Sequence, residues 1–498
     1  MDLYMTPQIA LALLLIIPLI AAVLIPVFGK QQNIREAVTF LAGFALLATV
    51  IYLCMDVAQG GRPELHLGTF AGKFDFALKL EPLGATFAAI ASSLWIINSI
   101  FTLGYMRGNK EKNQTRFFGF VAIAIAACMG MAGSANLITL FIFYEALTLS
   151  TFPLVTHKGD AKAKRGGTIY ALILMGTSLA LFLPAIIGTY VLAGTTDFVV
   201  GGVFPEGTSL LATSLLLFLF AFGIGKAALM PTHPWLPNAM VAPTPVSALL
   251  HAVAVVKAGV FTMLKVVTYT FGPSLAAATP ASTWIAWIAA FSIVMASIIA
   301  LRQDNLKARL AYSTVSQLSY VTLGAMLAVS MGILGGGLQI VMHAWGKITL
   351  FMCAGAIYTI AHRTNVSQLD GLGRTMPFVF GAFLVGALSI IGIPPMGGSW
   401  PKFLLMMGAV DSGKAILIAA LIASSILNII YLVPIAVRGF MKAPLDPVAD
   451  AEIGLLRKQH RWVIIPPVIT AIGSLVLFFF AGGIVDFLQP ILPGGGLP

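Results

Sequence analysis

Seven titratable side chains stand in stretches where nearly every neighbour is apolar: Glu145, Lys226, His251, Lys257, His343, Lys347 and Lys402. These residue types can all take up and release a proton, and set in series within an apolar medium they make a proton relay. A charge at a bilayer centre costs at least ~2.5 to 3.5 kcal/mol, so such groups normally face a protein interior or a hydrated cavity. His343 and Lys347 are four residues apart, which on a helix places them on one face about 6 Å apart along the axis. Glu145 and Lys226 are of opposite charge, and unit charges about 4 Å apart interact by ~4 kcal/mol at an effective dielectric near 20. A close Glu145 would keep Lys226 protonated, and separation would send the proton onward. The plainer readings are a packing histidine at 343 and a structural Glu145–Lys226 ion pair. The other protonatable groups that accompany each favour the relay. Lys265 also lies in an apolar run, but near its end, where a lysine can snorkel to the interface, and it is left out of the set.

The elements that position these residues are helices, two of them interrupted. In IGKAALMPTHPWLP, Lys226 precedes Pro231, Pro234 and Pro237; in IGIPPMGGSWPKFLL, Lys402 follows Pro394, Pro395 and Pro401 with Gly397 and Gly398 between. Proline removes a backbone donor and paired glycines loosen what remains, so both segments read as broken helices rather than ordinary helix ends. Transporters tolerate such breaks where the freed carbonyls line a cavity, and corresponding breaks in two halves point to a repeat with sites near the midplane.

Composition sets the medium. Of 498 residues 59% are hydrophobic and 9% charged, against about 25% charged in a soluble domain, and the mean hydropathy is +0.96. A water-soluble enzyme, a nucleic-acid binder and a disordered scaffold are excluded, and the chain reads as an all-α polytopic membrane protein. At about 20 apolar residues per crossing, about fourteen spans are expected, near 8–28, 36–56, 83–105, 117–133, 135–156, 168–193, 209–229, 245–268, 281–301, 310–330, 333–361, 376–398, 414–437 and 462–487. Between the second and third, LHLGTF and FDFALKL alternate around a glycine-containing turn and predict a small β-hairpin outside the membrane.

The net charge of +11 is distributed by topology. Loops after odd-numbered spans hold 20 of the 29 Lys and Arg, and loops after even-numbered spans hold only Arg62, Lys73, Lys79 and Lys414. The positive-inside rule therefore places the basic loops in the cytoplasm and both termini outside a cell membrane. Cys54, Cys128 and Cys353 lie in apolar runs without CxxC or Cys/His clustering, so neither a metal site nor an iron–sulfur site is expected. There is no recognisable nucleotide, haem or flavin motif and no catalytic motif, so no cofactor is expected and any redox centre belongs to a partner. Asp2, with no basic residue ahead of the first apolar run, argues for a first span rather than a cleaved signal peptide.

Four strings, WLPNAMVAPTPVSALLHAVAVVKAG (235–259), QDNLKARLAYSTVSQLSY (303–320), HAWGKITLF (343–351) and GIPPMGGSWPKF (392–403), resemble the antiporter-like subunits of Mrp-type cation/proton antiporters, respiratory complex I and membrane-bound hydrogenases. The resemblance covers nearly the whole chain. It implies fourteen core helices with two inverted five-helix repeats and discontinuous helices 7 and 12. The implied units are 1–116 (helices 1–3 with the hairpin), 117–268 (helices 4–8), 281–437 (helices 9–13) and 438–498 (a cytoplasmic loop and helix 14). Glu145 matches the family's fifth-helix glutamate, Lys226 the seventh-helix lysine and Lys257 the eighth-helix lysine. His343 with Lys347 matches the eleventh-helix relay, and Lys402 the twelfth-helix charged residue.

A lysine at 402 disfavours the complex I subunit whose relay ends in glutamate. The ending at Pro498, shortly after the fourteenth span, disfavours the long-form subunits that carry a lateral helix. The resemblance thus implies the shorter, D-type component of a multisubunit Mrp Na+/proton antiporter, working with other membrane subunits, protons and Na+. A proton-pumping subunit of complex I or of a hydrogenase stands behind it, in which case the chain would belong to a translocating enzyme. A membrane scaffold that moves no protons is the remaining alternative, and it has no use for buried lysines.

Overall fold

The computed structural model describes residues 5–70, 73–249, 253–447, 452–454 and 460–494. His251, one of the expected relay residues, lies outside them, as does part of the 438–498 unit.

The N-terminal part comprises α1 (Pro7–Val27), α2 (Gln32–Ala58), α3 (Pro82–Gly108), α4 (Gln114–Ala132), α5 (Leu137–Val155) and α6 (Ala161–Ala193). Their starts are written in the sequence. Glu81 accepts from the Leu83 and Gly84 amides ahead of α3, Asn136 from Thr139 ahead of α5, and Asp160 from Ala163 ahead of α6, satisfying amides the helix itself leaves free. The expected hairpin is present: β1 (Glu64–Phe70) pairs antiparallel with β2 (Phe74–Lys79), with a register shift between His66 and Gly68. It rests on the α4–α5 turn, where the Asn136 side chain donates to the Asp75 carbonyl and Thr139 accepts from the Ala77 amide.

The remaining helices longer than ten residues are α7 (Leu210–Gly223), α8 (Val255–Lys265), α9 (Pro280–Arg302), α10 (Leu306–Leu327), α11 (Ser330–Ala361), α12 (Pro377–Ile391), α13 (Ser399–Asp411), α14 (Ile418–Met441) and α15 (Arg461–Leu488). Both expected interruptions are found, one between Gly223 and Trp235 and the other between Ile391 and Ser399, each with a cis proline bond, at Met230–Pro231 and Pro394–Pro395. They explain why α7 and α12 are only 14 and 15 residues long.

One boundary needs correction. The twelfth span, expected over 376–398, ends as a helix at Ile391 and resumes as α13 through Asp411, so Lys402 sits in the second half of the span rather than after it. The break itself is where the prolines place it, and only the expected bound at 398 falls short of the helix that follows.

Among the described residues ten helices are long and apolar enough to cross a membrane. The protein is an integral, multi-pass membrane protein. Its outer surface confirms the medium, since Leu211, Phe479 and Val191 are 81%, 72% and 71% exposed on apolar helices, while Lys226, Lys257 and Lys347 are fully buried. At the centre stands α11, 32 residues long and mostly buried, in contact with α3, α10, α12, α13 and α15.

Candidate functional site

The first break places Lys226. After Gly223 the chain leaves helical geometry, turns once as a 3-10 segment over Gly225–Ala227, and reaches Ala228 in the left-handed region at φ +52°. The Trp235 indole donates to the Gly225 carbonyl at 2.9 Å and the Ser292 hydroxyl accepts from the Met230 amide, which satisfies part of the freed backbone. Lys226 Nζ donates to the Tyr144 carbonyl at 2.9 Å and to the Thr148 hydroxyl at 2.5 Å, and lies 3.2 Å from the centre of the Tyr144 ring. The Tyr144 hydroxyl in turn accepts from the Lys226 amide. The expected Glu145–Lys226 contact is not made: both oxygens of Glu145 are buried with no hydrogen-bond partner among the described residues. The lysine instead bonds the residue before Glu145 and the one three beyond it.

The break is held against α8 by a close backbone approach. A Cβ at Gly259 would stand 2.2 Å from the Ala227 amide nitrogen and 2.2 Å from the Lys226 carbonyl carbon. Two residues earlier on the same helix is Lys257, so this contact fixes the two lysines relative to each other. Gly259→Ala should destabilise the fold by roughly 1–3 kcal/mol, because a packed backbone must move aside. The unfolding midpoint of the purified protein should fall, and an unchanged midpoint would refute the tight contact.

Lys257 Nζ lies 2.5 Å from His343 Nδ1. This contact joins α8 to α11. One turn on, Lys347 Nζ donates to the Ser313 hydroxyl at 2.8 Å, and that hydroxyl also accepts from the Tyr431 hydroxyl at 2.9 Å. The Tyr431 hydroxyl also donates to the Asn428 side-chain amide oxygen, Oδ1. Gln339, one turn before His343, donates to Gln317 at 2.8 Å. A polar stripe on α11 (Gln339, His343, Lys347) thus faces one on α10 (Ser313, Gln317, Tyr320) at helical spacing. Gln317 Nε2 and Asn428 Nδ2 are buried without a protein partner among the described residues, which leaves donors for water along the seam.

The second break places Lys402. Its ammonium donates to the Ile391 carbonyl, the last of α12, at 2.7 Å and to the Ser425 hydroxyl at 2.8 Å, and lies 5.2 Å from the centre of the Tyr320 ring. Gly392 is left-handed at φ +86°, and a Cβ there would come within 2.8 Å of the Lys402 side chain. Ser297, Ser316 and Ser424 form a hydroxyl cluster with contacts of 3.0 to 3.1 Å between α9, α10 and α14.

Six of the seven expected residues are therefore described: Lys226, Lys257, His343, Lys347 and Lys402 are buried, and Glu145 is half-buried with both carboxylate oxygens covered. Lys257 and His343 are in direct contact; Lys226, Lys347 and Lys402 each sit in a separate polar setting. Sequence reasoning missed Tyr144, Thr148, Ser313, Tyr320, Ser425, Asn428 and Tyr431. The 313/317/320 spacing could have revealed the α10 stripe. Lys265 is also misjudged: it does not snorkel but is fully buried, paired with Glu81 at 3.3 Å.

On the basic-loop face a cavity of about 660 Å³ is lined by Lys158, Lys162, Arg165, Asn238, Ala242 and Lys307 among others, leading from the loop after α5 to the far end of the first break. Lys307 donates to the Ala242 carbonyl at 2.6 Å. Nothing among the described residues forms a cluster able to hold a metal ion.

Fold and site together define a polytopic helical membrane protein with a buried series of protonatable groups beside two broken helices. The chain belongs to the NADH:quinone oxidoreductase/Mrp antiporter transmembrane family, whose model matches residues 134–427. It is 28% identical to the N subunit of the NADH-quinone oxidoreductase of Desulforudis audaxviator, over 97% of this chain and 98% of that one. It is 26% identical to the D subunit of the Na+/H+ antiporter of Alkalihalophilus pseudofirmus, over 94% and 93%. In fold it matches a chain of the Mrp complex from Dietzia sp. with a TM-score of 0.84 at 21% identity, over 97% and 96%. It also matches a chain of an archaeal membrane-bound sulfane sulfur reductase with a TM-score of 0.78 at 21% identity, over 96% and 98%.

Proposed function

We propose that the chain is the proton-translocating subunit of a multisubunit Mrp-type Na+/proton antiporter in the cell membrane, its termini outside and its basic loops in the cytoplasm. The observation that carries this reading is the Lys257–His343 contact, which joins the helix packed against the first break to the central helix. Protons enter from the cavity on the basic-loop face, reach Lys226, pass to Lys257 and His343, then to Lys347 with Ser313 and Tyr431, and leave near Lys402. His251 belongs to this route by sequence. The five-helix units 117–268 and 281–437 each contribute one break and one lysine beside it. Lys226 bonded to Tyr144 and Thr148 is the separated state of the Glu145–Lys226 switch, the state in which the ammonium has left its carboxylate.

The kinship to the Na+/H+ antiporter supports Na+ as the exchanged ion, and the full-length kinship to the NADH-quinone oxidoreductase supports a second reading, a proton-pumping subunit of a redox-driven complex. The intact complex in proteoliposomes separates the two. A Na+ gradient should drive ΔpH without quinone; ΔpH that needs an electron donor and quinone would transfer the chain to the redox class. The chain alone should show no Na+-dependent ΔpH, because among the described residues Glu145 is the only carboxylate midway along an apolar helix and no multi-carboxylate Na+ site is found. Robust exchange by the purified protein would reject that division of labour.

A further inference from the structure

Lys257, Phe261, Lys265 and Tyr269 recur every fourth residue along α8 and its extension, so they stack on one face. Lys265 lies about 12 Å along the axis from Lys257, toward the hairpin-bearing side. Its Nζ donates to the Ser134 carbonyl at 2.8 Å, pairs with Glu81 at 3.3 Å, and lies 4.6 Å and 5.4 Å from the centres of the Phe198 and Phe261 rings. Glu81 accepts from the Leu83 amide, the Gly84 amide and the Tyr269 hydroxyl. The helix beyond Lys265 widens to a π segment over Val266–Phe271, a form frequent at functional sites. Within it the Thr268 and Thr270 hydroxyls are buried with no hydrogen-bond partner among the described residues.

A pair that only pins α3 to α8 needs each charge solely for the other, and losing one strands the other. Here each is provided for separately. Glu81 keeps three donors if Lys265 becomes neutral, and the Lys265 ammonium keeps a carbonyl and two ring faces besides the carboxylate. The site tolerates both protonation states of the lysine. Between it and the relay stands Phe261, stacked on Phe87 of α3 with centroids 4.9 Å apart.

We propose that Lys265, held by Glu81 and Tyr269, is the carrier of a second branch that takes protons from Lys257 to the hairpin-bearing face, with the Phe87–Phe261 stack as its gate. Lys265 first loses its proton to water on that face, breaking one N–H bond of the ammonium. With the stack displaced, the Lys257 ammonium gives up a proton through water and the Lys265 amine binds it, so charge and protons balance over each cycle. The branch rests on the proton-relay reading given above.

The test uses the assembled complex in inverted membrane vesicles, with ΔpH as the readout and Glu145→Gln as reference. Lys265→Arg keeps the charge and can bond Glu81 and Ser134, but arginine does not release its proton. A structural pin would be rescued by it. A carrier would not, and transport should fall about 2-fold, to the flux that still leaves by the Lys402 route, with normal amounts of assembled complex. Phe261→Ala, which leaves both charged residues in place, should raise passive proton leak. Near wild-type transport in Lys265→Arg overturns the branch. If that variant does not assemble, an unchanged leak in Phe261→Ala overturns it instead. A defective Glu145→Gln beside an active Lys265→Arg rejects the branch alone, whereas wild-type transport in Glu145→Gln rejects the relay on which it rests.

Discussion

Glu145→Gln abolishes coupled proton movement while the complex still assembles: that is the expected result in inverted vesicles, with a loss on the order of 100-fold, the scale of one proton-transferring group. The structure explains why assembly should survive. No hydrogen bond to either carboxylate oxygen is formed among the described residues, so glutamine leaves no described partner stranded. What it removes is the negative charge beside Lys226. Without it the ammonium would stay on the Tyr144 carbonyl and the Thr148 hydroxyl and no longer be drawn back. A stably assembled variant that moves protons at the wild-type rate would reject the switch.

The second large effect is expected at Lys402. Its ammonium caps the last carbonyl of α12 and holds Ser425, which is what a lysine present only to satisfy a broken helix would do. Two substitutions separate that role from proton release. Arginine still donates to the carbonyl but stays protonated, whereas alanine removes both functions. Lys402→Arg and Lys402→Ala should be comparably defective in transport, each by about 2-fold or more as the flux through this exit is lost, with the arginine variant assembling better. A near-normal arginine variant beside an inactive alanine variant would mean that fixed charge suffices and the proton leaves elsewhere.

The sequence displayed the spans and both breaks because apolar runs and proline positions are local properties. It displayed the hairpin for the same reason, through alternation on either side of a glycine-containing turn. The partners of the lysines were hidden because they come from other helices: Thr148 meets Lys226 and Ser313 meets Lys347 across 78 and 34 residues of chain. In sequence a serine or threonine inside a helix looks the same whether it bonds its own backbone, as Thr262 does to Ala258, or caps a distant ammonium. Lys265 was misjudged because position along a helix says nothing about what covers it. Its carboxylate is 184 residues earlier, at the cap of α3.

The cavity on the basic-loop face carries a further consequence. Lys158, Lys162, Arg165, Lys307 and Arg363 line it, against the single carboxylate of Asp160, which is engaged in capping α6. Such an antechamber depletes small cations and gathers anions, and the bias fades over about 8 Å at physiological ionic strength. Free hydronium and Na+ are thus turned away from a vestibule that anionic weak acids can enter. On the entry route proposed above, protons must be delivered there by buffer, and uptake should rise with phosphate or bicarbonate concentration at fixed pH.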